Sequence, residues 1–398
     1  MPLSLSSIRA GQSLDNYDYH DDAEPVSWQV PGSPTGQVVT PLRTWSAVDA
    51  ALSKDNRDLS LADPDDAIFG IGRECPYGLM RLDASRSRSV RSIINPLFSP
   101  AAIARWDGAL SLAARGRAAA LVDSGDGDLV TGYVAPLLAD MVRLTAGLDR
   151  HQWEDLQDLV GRADGLIATP GDHVVVDGAR KEFRDFASQV TIARTNREPA
   201  RDLVSQCASA LQHHLPDHQS LPVMMNVLAG WPSAGPAVLA AVLLTIMSQE
   251  EEVLATCRDP VAALPAVREA LRLVAPFTCL VPGVLTTPIQ AGRLTLPAGT
   301  LALPVIRAAY RDPAYAGAAD PGTFRLNRPR RLVLAFGAGT HRCPAYSLMI
   351  RFFGIAVSAI VNAESCLAVP AETIPLQAAG LMRTPQEIPV TRAEKPRR

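Results

Sequence analysis

Apolar and polar residues recur along much of this chain with a period near 3.6, which predicts a mainly helical protein. Between Ala101 and Leu148 the repeat predicts two helices, broken around Asp123-Ser124-Gly125-Asp126-Gly127-Asp128, where acids and glycines interrupt the apolar stripe. Trp45 to Leu52 predicts a short helix, and Ala84 to Phe98 a longer one carrying Arg86, Arg88 and Arg91. His151 to Leu215 continues as helices and loops, with a break at Thr169-Pro170-Gly171-Asp172. Residues 221–249 are apolar nearly all round, the mark of a central helix buried on every side. This stretch holds Ala229-Gly230-Trp231-Pro232-Ser233-Ala234-Gly235-Pro236. An interior proline deletes an N–H and clashes with the preceding turn, so the helix is expected to kink or open here.

Strand-like pieces fall at Gln37 to Thr40, Phe277 to Val284 and Arg293 to Thr300. A closing hairpin is expected from Gly380-Leu381-Met382-Arg383 and Ile388-Pro389-Val390, and an irregular loop over 63–76. Residues 1–44 are rich in Asp, Pro, Ser and Gly and read as irregular with short strands. There is no internal repeat, and the organisation expected is one large domain over 1–398 with small β-sheets beside the helices.

Composition narrows the function more than the fold. A net charge of −3 with acids and bases interspersed argues against a nucleic-acid surface. The six cysteines, Cys75, Cys207, Cys257, Cys279, Cys343 and Cys366, lie far apart with no Cys-x-x-Cys pair, which suits a reducing compartment without a zinc site. The N-terminus has no basic segment leading into an apolar one, and the apolar run Pro236 to Met247 is too short to span a bilayer, so a cytoplasmic protein with no membrane partner is expected. The acids at 123–128 lack the later bidentate Glu of a calcium loop and read as a turn. His213 and His214 lack partners at metal-ligand spacing and read as surface residues.

The candidate chemistry sits in Phe336-Gly337-Ala338-Gly339-Thr340-His341-Arg342-Cys343, followed at once by a run with helical spacing from Pro344 to Phe353. Cys343 thus stands at a helix N-terminus, where unpaired N–H groups and the helix dipole favour a thiolate. The glycines let the loop backbone pass close to a flat ligand. Pro344 has no N–H, so one potential donor to the sulfur is missing.

This stretch resembles the haem-binding loop of the cytochrome P450 family, in which the cysteine thiolate is the axial iron ligand. The resemblance covers residues from about 79 to 392, and implies haem b between the long central helix and the helix behind Cys343, its iron held by Cys343. It implies haem contacts at Phe336, Gly337, Gly339, His341, Ala229 and Gly230. Aligned on Asn95-Pro96-Leu97-Phe98, the family places a His and an Arg four residues apart to reach the propionates; here these are Ser87 and Arg91, so the arginine alone is kept. A strand that offers a second propionate arginine has Gly283 at that place. The family's Glu-x-x-Arg and its third partner fall on Glu269, Arg272 and Arg328, which are expected to be structural.

In the family the central helix crosses the haem with Ala-Gly-x-Asp/Glu-Thr-Thr, and here the acid falls on Pro232 and the following alcohol on Ser233. Pro232 cannot relay a proton; the Ser233 hydroxyl can hold a water and is the remaining catalytic candidate beside Cys343. By resemblance the substrate pocket is lined by Trp231, Pro232, Ser233, Phe277, Leu280, Val281, Leu381 and Met382.

Three readings stay open. The first is a monomeric oxidoreductase of bacterial secondary metabolism that oxidises a bulky small molecule with electrons from a separate ferredoxin and ferredoxin reductase. The second is a haem-thiolate enzyme that uses peroxide or catalyses a redox-neutral cyclisation, dehydration or rearrangement. The third is a binding scaffold without catalysis.

Overall fold

The computed structural model of the chain describes residues 28–29, 38–52, 56–58, 78–79, 82–125, 127–163, 173–195, 201–317, 320–328, 333–363, 367–368, 374, 376–379 and 382–392. The expected loop over 63–76, the break at 169–172 and Leu381 lie outside these residues, as does the side chain of Ser233.

Helices dominate. Single turns aside, they are α1 (Trp45–Leu52), α2 (Ala84–Ile94), α3 (Asp107–Ser124), α4 (Ala135–Thr145), α5 (Arg150–Ala163), α6 (His173–Thr195), α7 (Leu203–His214), α8 (Asp217–Met247), α9 (Glu251–Cys257), α10 (Leu264–Val274), α11 (Ile306–Arg311) and α12 (Tyr346–Ala363). Local chemistry explains their ends. The Asp83 carboxylate accepts the Ser85 and Arg86 N–H groups at 2.9 Å and starts α2, while Asn95-Pro96-Leu97-Phe98 continues it as a 3₁₀ turn.

The central helix α8 runs as one helix through Pro222, Pro232 and Pro236, so it does not open at Pro232 and Pro236. The prolines leave the Leu228 and Pro232 carbonyls without their i+4 donors, at about 3 kcal/mol per interior proline. Packing offsets that cost: α8 is held by α5, α6, α7, α10 and α12. Leu228, Leu239, Val242, Leu243 and Ile246 are fully buried, each burial contributing roughly 1.5–3 kcal/mol. The same helix corrects the apolar-run reading: α8 and α12 are each long and apolar enough to cross a membrane by length and composition, and about two thirds of each apolar window is buried against other elements.

Strands β1 (Trp28–Gln29), β2 (Val38–Leu42), β3 (Arg57–Asp58), β4 (Gly127–Asp128), β5 (Gly283–Leu285), β6 (Ile289–Ala291), β7 (Leu294–Leu296), β8 (Leu301–Pro304), β9 (Leu367–Ala368), β10 (Leu376–Ala379), β11 (Met382–Pro385) and β12 (Pro389–Arg392) form small sheets. The largest has five strands in the order β1-β2-β8-β5-β3, with β2 and β8 parallel. The closing hairpin differs from expectation. It is β10 with β11, Ala379 opposite Met382, whereas β12 joins β4 and β9. The Asp128 carboxylate anchors that arrangement, accepting the N–H groups of Ile388 at 2.6 Å and Thr131 at 2.9 Å. The acidic turn thus fastens the C-terminal strand.

A buried ion cluster ties α10 to the segment before the cysteine loop. Glu269 takes both Nε and Nη2 of Arg272 at 2.8 Å and Nε of Arg328 at 2.7 Å. Arg272 also donates to the Pro321 carbonyl at 2.7 Å, and Arg328 to that of Thr323 at 2.7 Å. Glu269 and Arg272 are each 4% exposed, so removing one partner strands a buried charge. Glu269→Ala is expected to cost roughly 3–5 kcal/mol of stability, read as a lowered urea midpoint, with a much smaller loss when Glu269 and Arg272 are both replaced by apolar residues.

Candidate functional site

The geometry of Phe336–Cys343 follows from its glycines. Gly337 and Gly339 take φ of +67° and +61°, a region that costs other residues strain. These turns bring the Cys343 N–H to the Phe336 carbonyl at 2.8 Å, closing the loop, and the Arg342 N–H to the Gly339 carbonyl at 3.2 Å. The Phe336 ring meets the Tyr346 ring edge-on at 5.3 Å, and the Arg342 guanidinium lies 3.9 Å from the Tyr346 ring centre. Cys343 is thereby fixed at the entry to α12.

Burial pushes the Cys343 thiol up; a hydrogen bond from the Ala345 N–H and the charges of Arg91 and Arg342 act in the opposite direction. The donor that Pro344 cannot supply is thus provided one residue later. Cys207 and Cys279 have no such support, and burial drives each to about 12.

A cavity of about 310 Å³ separates the cysteine loop from α8. Cys343, His341, Phe336, Gly337 and Arg91 line it, and so do Gly230 and Trp231 of α8 and Phe277, Leu280 and Val281. Among the described residues Ala229, Pro232, Gly339 and Met382 do not line it. Met382 instead pairs with Phe277 in an isolated β-bridge. Gly230 opens directly on the cavity, since a Cβ built there meets nothing within 4 Å.

Two further lining residues, Asn226 and Arg57, escape a reading of the sequence, and Ser87 supports the wall from behind without lining it. Ser87 is the first link: Arg91 Nε donates to Ser87 Oγ at 3.2 Å, Ser87 Oγ donates to the Thr340 carbonyl at 3.2 Å, and Arg91 Nη1 donates to the Arg342 carbonyl at 2.5 Å. The serine standing where a histidine was expected therefore orients Arg91 against the cysteine loop. Its signal was available, because residues four apart share a helix face. Asn226 lies one turn before Gly230 on α8, and its buried Oδ1 has no hydrogen-bond partner among the described residues. Arg57 comes from β3, and no local pattern connects it to the cavity. His341 Nδ1 donates to the Leu79 carbonyl at 3.3 Å, tying the loop to the chain ahead of α2.

This donor set fits the haem that the sequence resemblance implies. A sulfur stands at one wall, arginines flank it, glycine backbone admits a flat ligand, and no carboxyl group is among the described lining residues.

Gly230→Ala gives a direct check of the cavity wall. Alanine is favoured over glycine in a helix interior by about 0.5–1 kcal/mol, so resistance to urea should be kept or raised, while haem content per chain and carbon monoxide affinity fall because the methyl occupies the ligand's side of α8.

Comparison with known proteins follows the same line. No family model matches the chain. A cytochrome P450 named FAS1 from Rhodococcoides fascians is 24% identical over 265 residues, covering 66% of this chain and 65% of that protein. Nocardicin C N-oxygenase from Nocardia uniformis subsp. tsuyamanensis is 26% identical over 276 residues, 66% of each. The chain thus matches just under two thirds of the length of these two relatives. Among solved structures, P450BioI in complex with an acyl carrier protein superposes with a TM-score of 0.77 at 16% identity, covering 92% of this chain and 95% of that one.

Proposed function

We infer that this chain, which has the cytochrome P450 fold, is a haem-thiolate oxidoreductase that oxidises a bulky, largely apolar small molecule in bacterial secondary metabolism, with altered proton delivery. The observation that carries this reading is the Cys343 sulfur, held at the entry to α12 and facing Gly230 and Trp231 of α8 across one cavity. When bound, haem with Cys343 as its ligand supplies oxygen activation, because the thiolate pushes electron density toward the iron.

The chain's own residues do the rest. Arg91, oriented by Ser87 and the Arg342 carbonyl, offers its guanidinium to a propionate, and His341 flanks the same side. Trp231, Phe277 and Leu280 exclude water and pack an apolar substrate, while Asn226 offers a lone hydrogen-bonding amide to orient it. Pro232 stands where the family keeps a proton-relaying acid, and it has no group that moves a proton. Ser233, which follows it in the chain, is the remaining alcohol for proton delivery. Electrons come from a separate ferredoxin and its reductase, for which the exposed Arg86 and Arg88 of α2 form a basic docking face. The protein acts as a soluble cytoplasmic monomer.

Pro232 also favours a second reading, in which the enzyme uses peroxide or catalyses a redox-neutral step. One assay separates the two: candidate substrate is given NADH with ferredoxin partners, hydrogen peroxide, or neither, and the products are weighed. Products heavier by one oxygen or lighter by two hydrogens in the first arm alone are expected; turnover in the other arms selects the second reading. No turnover anywhere, with haem bound, leaves a binding scaffold.

Two substitutions sharpen this. Cys343→Ser should abolish the thiolate signature in the reduced carbon monoxide spectrum. Pro232→Asp restores a carboxyl at the family's position and should raise product formed per NADH by roughly tenfold, less than the 10²–10⁴-fold of a fully positioned acid.

A further inference from the structure

We propose that Arg57 is a carboxylate-binding cation of the cavity and that its carboxylate is a haem propionate, the role that Gly283 leaves without a side chain. This rests on the haem-thiolate reading above and adds to it a residue far from the cysteine loop in sequence.

Arg57 lies on β3, at the edge of the five-stranded sheet. It pairs opposite Leu285 of β5, with Asp58 opposite Val284, so Gly283 is the next residue along the same strand. Only 7% of Arg57 is exposed. Its Nη1 donates to the Val281 carbonyl, which carries the guanidinium past the end of β5 to a backbone position two residues before Gly283, and there it lines the cavity shared with Cys343 and Arg91. One donor is thus used on Val281, while a guanidinium has five. Successive side chains of a strand point to opposite faces, so Asp58 does not serve as the partner. Burial alone pushes the Arg57 guanidinium down to about 9, with no acid among the described residues acting on it, so it stays charged at neutral pH.

A buried cation without a counter-charge is destabilising, and the remedy is an anion brought by a ligand. Arg91 approaches the same cavity from α2 and the cysteine loop, Arg57 from the sheet. Two cations entering from different elements suit the two carboxylates of one haem. The fork of a guanidinium matches each of them.

The test compares haem-loaded wild type with Arg57→Gln, Arg57→Lys and the double variant Arg57→Gln/Gly283→Arg. Each is mixed with excess apomyoglobin, and haem transfer is followed in the Soret band. Wild type is first shown to give the thiolate carbon monoxide spectrum; failure there overturns the haem reading itself, apart from Arg57. Given that spectrum, Arg57→Gln is expected to lose haem at least about tenfold faster, in keeping with a lost charge-assisted hydrogen bond. Arg57→Lys should fall between, and Gly283→Arg should restore part of the retention. If Arg57→Gln does not fold, Arg57→Lys decides. Haem loss at the wild-type rate in every variant that folds overturns the proposal. A parallel titration with tetradecanoate and tetradecanol locates any other carboxylate: normal haem retention with selective loss of tetradecanoate binding would give Arg57 to a substrate acid and overturn its assignment to the propionate.

Discussion

The presentation of one sulfur governs the rest of this molecule. For Cys343 to face a cavity while its backbone begins a buried helix, the preceding loop must double back within a few residues, and the bond between the Cys343 N–H and the Phe336 carbonyl records that closure. Gly337 and Gly339 make the required positive φ accessible. The rigid base is α12, with Phe352, Phe353, Ala356 and Val357 fully buried against the helical core. A loop held this firmly holds the sulfur in one place relative to α8.

The cavity between them is electrostatically one-sided. Arg57, Arg91 and His341 reach it, and no carboxyl group is among its described lining residues. Such a wall favours an anionic ligand and supplies cations to hold it. Pro232 of α8 stands off this lining.

Much of the site was readable because its logic is local. The loop Phe336–Cys343 combines glycines, histidine and cysteine directly before an apolar periodic run, and the structure gathers Phe336, Gly337, His341 and Cys343 around one cavity with Arg91, Gly230 and Trp231. The short helix at Trp45–Leu52 was equally local and has the expected bounds. Misreadings arose where distant packing outweighed local preference. Pro232 and Pro236 predict a kink or an opening within α8, yet neighbouring helices hold it as one element. The pairing of Gly380–Arg383 with Ile388–Val390 failed because β10 supplies the partner of β11 and leaves β12 to β4 and β9. Ser87 shows an intermediate case: its helix face was legible, but its hydrogen bond to the Thr340 carbonyl spans 253 positions.

The sequence by itself determined the sulfur at a helix entry, the glycine turns before it and the mainly helical class. Each depends on residues within a turn or two of one another, where φ preference, capping and periodicity act. Tertiary structure decided which cations surround the sulfur and which face of α8 opposes it. Arg57 meets the Val281 carbonyl across 224 positions of chain, and only the pairing of β3 with β5 brings them together. Strand pairing and burial depend on the free energy of the whole assembled core, so no short stretch of residues encodes such a neighbour.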